Sequence, residues 1–235
     1  MLSKEPSKIG QMFSSIAHHY DFLNRVLSLG RDRYWRSFAV SNLPPIKNGL
    51  FLDVATGTGD VAIEIARRYP SGVKVIGVDV SEEMIRRGME KIKRLNLHER
   101  IELRYGDVNN LPFEDGIFDG SLIVFGIRNV EDYKKGIKEM VRVVKDGGRV
   151  IIVELTSLQN PFFIRPYRWY ITNLLPFVGE LLSGRKGAYR YLPESMIDFP
   201  APERLKCIME DAGLRDVQYR TLTLGITSVH VGIKH

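Results

Sequence analysis

The chain has 235 residues, enough for one large domain with a real core and too few for two substantial ones. With 44% hydrophobic and 26% charged residues it is neither a disordered nor a membrane-embedded chain, and a net charge of +6 with a pI near 9.4 permits an anionic partner without requiring one. A lone cysteine, Cys207, excludes an intrachain disulfide, and no Cys/His cluster has zinc-ligand spacing, so no metal is expected and a reducing, cytoplasmic setting fits.

Met1 to Gly10 is polar, carries Lys4, Glu5 and Lys8, and has no apolar stretch of the kind a signal peptide needs. Ile9, Met12, Phe13 and Ile16, then Phe22, Val26 and Leu27, then Tyr34, Trp35 and Phe38 recur at three- and four-residue steps, the spacing of short helices between Ser7 and Asn42. Pro44-Pro45 and Asn48-Gly49 end that block, and Leu50 to Val54 reads as a buried strand entering a glycine-rich turn. Helices are then expected at 61–69, 82–95 and 133–144, and strands at 73–78, 101–105, 118–124 and 149–155. Such alternation implies a doubly wound α/β fold, a parallel sheet covered on both faces. From Ser157 to Gly184 the pattern breaks: Phe162, Phe163, Tyr167, Trp169, Tyr170 and Phe177 crowd between prolines and read as a helical insertion. A helix over 202–212 and two closing strands, 214–222 and 225–233, are expected to finish the sheet with an antiparallel edge. The expectation is one domain in four parts: a helical cap (1–48), a cofactor-binding half (49–156), an aromatic insertion or lid (157–200), and a closing helix and strands (201–235).

The segment Phe51-Leu-Asp-Val-Ala-Thr-Gly-Thr-Gly-Asp-Val-Ala62 places Ala55, Thr56, Gly57 and Gly59 where a strand ends and a helix begins, the ligand crevice of a doubly wound sheet. A tight structural turn or a nicotinamide dinucleotide site would carry the same glycines. Three acids at successive strand ends tip the balance. Asp53 before the turn suits a ligand with a charged amino group and would repel a pyrophosphate; Asp79, next to Val80, is placed to accept ribose hydroxyls; Asp107, next to Val108, follows the third strand and resembles the acid that methyltransferases set against the adenine amino group. Each alone is an ordinary solvated carboxylate. Together with the two closing strands they point to S-adenosylmethionine and a seven-stranded, Rossmann-like class I methyltransferase sheet.

Beyond that site, Tyr20-Asp-Phe-Leu-Asn-Arg-Val-Leu-Ser-Leu-Gly-Arg-Asp-Arg-Tyr-Trp-Arg36 resembles the N-terminal signature of the ubiquinone/menaquinone biosynthesis C-methyltransferases. Arg142-Val-Val-Lys-Asp-Gly-Gly-Arg-Val-Ile-Ile-Val-Glu-Leu-Thr156 is similar to that family's second signature, and Phe125-Gly-Ile-Arg-Asn129 and Tyr189-Arg-Tyr-Leu-Pro-Glu-Ser195 to two further segments. Leu23, Asp32, Asp146 and Thr156 depart from the usual Met, His, Pro and Ser. The resemblance implies methylation of a ring carbon of a prenylated quinol, demethylmenaquinol or the benzoquinol precursor of ubiquinol, with S-adenosylhomocysteine as by-product; a methyltransferase of another small lipophilic acceptor and a non-catalytic S-adenosylmethionine-binding module are the alternatives. A ring carbon becomes nucleophilic once an adjacent phenol ionises, and a guanidinium stabilises the phenolate, which makes Arg128 the leading catalytic candidate. Phe125 joins the cofactor residues. Arginine keeps its own proton, so a relay is needed, and Tyr20, Asp21, Tyr191 and His230 are its candidates by resemblance. An ordinary loop ion pair for Arg128 and an ordinary core histidine for His230 are the bland alternatives.

The aromatic insertion reads either as core beneath a lid or as a surface for an isoprenoid tail. Arg165, Arg168, Trp169 and Tyr170 suit transient contact with a membrane surface, and a homodimer would cover the same apolar residues. Charged and proline residues interrupt the run well short of the ~20 residues a span requires. Positive residues are dispersed among acids, so no nucleic-acid partner is expected.

Overall fold

In every central strand, alternate apolar residues point to opposite faces and both sets are buried, so each strand needs helices above and below it. The computed structural model describes residues 4–156, 169–174, 195 and 199–235. Three helices form the cap: α1 (Pro6–Ile16), α2 (Tyr20–Leu27) and α3 (Arg31–Val40). There follow β1 (Gly49–Val54), α4 (Asp60–Arg68), β2 (Val73–Asp79), α5 (Glu82–Arg94), β3 (Ile101–Tyr105), β4 (Phe118–Val124), α6 (Tyr133–Val143) and β5 (Val144–Leu155). The chain closes with α7 (Pro202–Asp211), β6 (Leu214–Leu222) and β7 (Thr227–Lys234).

The seven strands lie in the order β3-β2-β1-β4-β5-β7-β6. β1 to β5 run parallel, whereas β7 is antiparallel to both of its neighbours, β5 and β6. The expected closing pair therefore forms one edge of the sheet, with the reversed strand one place in from the end. On one face Phe51, Leu122, Ile151 and Val153 pack against α3, α4 and α5; on the other Leu52, Ile123, Val150 and Ile152 pack against α6 and α7. All eight are fully buried, each contributing about 1.5–3 kcal/mol.

The helix ends follow local chemistry. Ser81 caps α5 by accepting a bond from the Met84 amide at 3.3 Å, Glu82 and Glu83 occupy the first turn and Lys91, Lys93 and Arg94 the last, all with the sign the helix dipole favours. Strand β5 begins earlier than the glycine pair suggested. Phe118 pairs with Val144 while Gly120 pairs with Arg149, so 145–148 bulge from the ladder and pairing resumes beyond. Of the aromatic insertion only Trp169 to Leu174, Ser195, Phe199 and Pro200 are described: Tyr170 to Leu174 form one π-helical turn, and the Tyr170 hydroxyl donates to the Leu27 carbonyl at 2.6 Å. Phe162, Phe163, Arg165, Tyr167, Arg168, Phe177 and Tyr191 lie outside the described residues.

Candidate active site

The crossovers from β1 and β4 leave in opposite directions, opening a crevice at the carboxyl ends of the strands. A cleft of about 720 Å³ occupies it. Val54, Ala55 and Gly57 line it from β1, Asp79 and Val80 from β2, and Asp107 and Val108 from beyond β3. Phe125, Gly126 and Asn129 complete the sheet side, and Ile9, Phe13 and Tyr20 close it from the cap. The spacing of the sequence thus brings Ala55, Gly57, Asp79, Val80, Asp107, Val108, Phe125 and Tyr20 into one wall.

Two non-glycine residues at adjacent strand ends, Ala55 (φ 51°) and Phe125 (φ 60°), adopt the left-handed region, a strain typical of functional turns. Gly126 permits their approach, since a Cβ there would lie 2.6 Å from that of Ala55. The turn after β1 is tied to β2: the Gly57 amide donates to one Asp79 oxygen and the Ser81 amide to the other, both at 2.8 Å. Burial nonetheless pushes the Asp79 carboxyl above its usual range, with those backbone amides pulling the other way. Asp107 accepts from the Asn109 amide at 2.9 Å through one oxygen.

Three residues expected to touch the ligand lie behind the wall instead. Asp53 is 1% exposed and accepts from the Thr56 hydroxyl at 2.6 Å and the Ala62 amide at 3.1 Å, so it organises the turn from beneath. Thr56 is the other half of that bond, and Gly59 (φ 78°) starts α4 against Ile92 and Leu103. Burial raises the Asp53 carboxyl from 3.8 to about 7, against the pull of Thr56 and Ala62. The folded chain therefore holds this proton more tightly than the unfolded chain, and the stability so gained is complete below 3.8 and lost as pH rises through about 7. Asp53→Asn, neutral throughout and still able to accept both bonds, should flatten that dependence in the cofactor-free protein. Urea titrations at about pH 5 and about pH 8 measure it, and an unchanged slope contradicts it.

Asp21 is tied into an ion-pair network beside the turn and is not among the cleft-lining residues. Its two oxygens accept from the Thr58 hydroxyl and from Lys91, both at 2.6 Å, and Lys91 also bonds Asp60 at 2.7 Å. Arg36 continues the network from Asp60 to Asp32, where Arg25 joins it. Burial pushes Asp60 up, but Arg36 and Lys91 outweigh it and hold its carboxyl below the usual range. The departure at Asp32 is thus a buried clasp for two arginines, and Asp21 fastens α2 to the turn. Asp21→Ala should cost under about 1 kcal/mol of stability, because the pair is partly exposed. It should weaken donor binding about five-fold as the turn carrying Gly57 loses the tie made through Thr58, which isothermal calorimetry would read.

His230 also leaves the relay. It is fully buried on β7, its Nε2 lies 2.9 Å from the Pro202 carbonyl, and its ring stacks on Tyr219 at 5.2 Å. Burial lowers its pKa to about 4, so it is a neutral latch between β7 and the start of α7. Tyr20 remains. Burial raises its phenol, while Asn24 and the nearby charge of Arg128 pull it down.

Arg128 sits on a single 3₁₀ turn, Ile127–Asn129, and is 7% exposed; Phe125, Gly126 and Asn129 around it line the cleft, whereas Arg128 itself is not among the lining residues. Its Nη1 donates to the Phe125 carbonyl at 2.9 Å and to Glu154, whose other oxygen accepts from the Arg128 amide at 3.3 Å. Among the described residues its buried Nε has no partner, nor has the side-chain oxygen of the cleft-lining Asn129. Sequence reasoning assigned no role to Glu154 or Asn129. The signal for Glu154 was a carboxylate ending the apolar run Val150 to Val153, since such a charge is buried only when paired.

Residues 1–234 match the ubiE/COQ5 methyltransferase family. The chain belongs to that family. A ubiquinone/menaquinone biosynthesis C-methyltransferase of Geotalea daltonii is 46% identical over 233 residues, covering 99% of both chains. A demethylmenaquinone methyltransferase of Thermus thermophilus is 44% identical over 223 residues, 94% of this chain and 99% of the relative. A solved S-adenosylmethionine-dependent methyltransferase of Thermotoga maritima, described as a possible histamine N-methyltransferase, superposes with a TM-score of 0.67. It does so at 20% identity, over 96% of this chain and 99% of that one. The sheet is the class I methyltransferase fold. As a member of the family the chain takes S-adenosylmethionine, and the cleft suits it. Each Asp79 oxygen keeps lone-pair capacity for a ribose hydroxyl after accepting one amide, Asp107 keeps an oxygen for an amino group, and Val80 and Val108 offer apolar flanks for a base.

Proposed function

We propose that this chain methylates a ring carbon of a prenylated quinol in respiratory quinone biosynthesis. The observation that carries this reading is the 46% identity, over essentially the whole of both chains, to a relative named for that reaction. S-adenosylmethionine, when bound, supplies an electrophilic methyl group on a sulfonium. Asp79 and Asp107 orient it, and Val54, Ala55 and Gly57 bring backbone close to it. Tyr20, protonated at neutral pH, meets the acceptor from the cap side. Arg128 stabilises the phenolate form of the acceptor, which raises the nucleophilicity of the neighbouring carbon. The hydroxyl proton leaves through water; the ring carbon gains the methyl as its bond to sulfur breaks, and then loses its own hydrogen as a proton to restore aromaticity. Tyr191 keeps its role by resemblance only.

The acceptor's prenyl chain resides in a membrane, and transient peripheral contact at its inner face fits the surface. Phe22 and Val26, one turn apart on α2, are exposed, as are Leu29 and Arg31 just beyond that helix and Trp169. No helix among the described residues is long and apolar enough to cross a membrane. A homodimer through the same residues is the competing use of that surface.

The test is transfer of labelled methyl to a short-chain demethylmenaquinol and to a matched benzoquinol under reducing conditions. Ring-carbon methylation of either supports the reading, and their ratio assigns the branch. Donor binding with no transfer to either quinol overturns the quinol assignment and redirects attention to other lipophilic acceptors.

A further inference from the structure

Glu154 ends β5 at the carboxyl edge of the sheet, fully buried, beside the turn that carries Arg128. A carboxylate there would be strongly destabilising unless every oxygen were engaged. Both are: one accepts from the Arg128 guanidinium and, at 2.8 Å, from the Leu155 amide, and the other from the Arg128 amide at 3.3 Å. One side chain therefore grips Arg128 at both its backbone and its charged end. The Phe125 carbonyl supplies a second bond to the same Nη1. Among the described residues no other carboxylate pairs with Arg128. Packing alone does not require such a pair, because two apolar side chains of similar volume serve a core equally well.

We infer that Glu154 is a positioning residue, holding the Arg128 guanidinium in the orientation that serves the acceptor and offsetting part of its charge. This rests on the role proposed for Arg128. Glu154 is fully buried and outside the cleft lining, so it acts through Arg128. Without it the guanidinium turns about a single bond to the Phe125 carbonyl. With the charge removed but an acceptor retained, the guanidinium field is stronger, and ionisation of the acceptor phenol is favoured at lower pH.

The experiment compares wild type with Glu154→Ala, Glu154→Gln, Arg128→Ala and the Arg128→Ala/Glu154→Ala double variant, using S-adenosylmethionine and a short-chain demethylmenaquinol. Turnover, KM, the pH profile of turnover and donor affinity are measured for each. Expected are a fall in turnover of about 100-fold or more in Glu154→Ala, with donor affinity retained, and recovery to within about ten-fold of wild type in Glu154→Gln. The acidic limb of the Glu154→Gln profile moves to lower pH, a change that loss of packing alone does not produce. The double variant is no slower than Arg128→Ala, because both substitutions remove one interaction. If Arg128→Ala is inactive while Glu154→Ala turns over normally, or if the two losses multiply, the positioning role is wrong and the role of Arg128 stands. If Arg128→Ala turns over normally, both are wrong. Should Glu154→Ala fail to bind donor, the Glu154→Gln profile decides alone: an unmoved acidic limb overturns the inference.

Discussion

Arg128→Ala should lower methyl transfer by about 10²–10³-fold while leaving donor affinity within a few-fold of wild type. That is the usual effect of deleting one preorganised donor aimed at developing negative charge. Donor affinity survives because, of the cleft wall, only the Phe125 carbonyl bonds Arg128, while Ala55, Gly57, Asp79 and Asp107 make no bond to it. The same substitution leaves Glu154 buried without its cation, which should cost about 3–5 kcal/mol of stability. The two effects are separable. Replacing both partners, Arg128→Met with Glu154→Leu, should recover most of the stability and none of the turnover. Single-turnover transfer and thermal unfolding, each at saturating donor, measure both. Stability and activity returning together would mean that the pair is structural only.

Asp79→Ala should weaken S-adenosylmethionine binding by about 100-fold or more. A carboxylate bonded to two hydroxyls contributes about 1.5–3 kcal/mol per charged hydrogen bond. The loss also strands the Gly57 and Ser81 amides, whose acceptors are the two Asp79 oxygens, so the turn itself loosens. Asp79→Asn keeps one acceptor and should fall between wild type and alanine. Because burial lifts the Asp79 carboxyl above its ordinary value, donor affinity in the wild type should decline on acidification earlier than for an ordinary aspartate. Calorimetric titration over a pH series tests both, and an affinity independent of residue 79 would exclude its place on the ribose.

The elements were legible because each is specified locally. Val73 to Asp79 and Phe118 to Val124 are short apolar runs between turn residues, and the heptad-like spacing of Met84, Ile85, Gly88 and Ile92 has one reading, a helix with a single buried face. The place of Asp79 and Asp107 on the cleft was legible too, since a strand end in a doubly wound sheet points its next residue into the crevice whatever the rest of the chain does. What misled were acids and a histidine whose partners are distant in sequence. Asp53 was assigned to the ligand, yet it turns under the loop because Ala62, one helical turn into α4, offers it an amide. Asp21 is a relay candidate in the sequence, yet Lys91 and Thr58 draw it into the ion-pair network beside the turn and away from the cleft lining. His230 was assigned to the relay, yet β7 places it opposite Ile152, on the face that α7 covers.

The sequence by itself determined the architecture, the position of the crevice and the family, because strand-helix periodicity, turn chemistry and signature segments are properties of neighbouring residues. The tertiary structure alone decided which polar groups are available for chemistry. A side chain's charge, exposure and hydrogen bonds depend on what faces it across the sheet, and Arg128 met Glu154 from 26 residues away. That contact, invisible to any local pattern, makes a loop arginine a held cation beside the cleft.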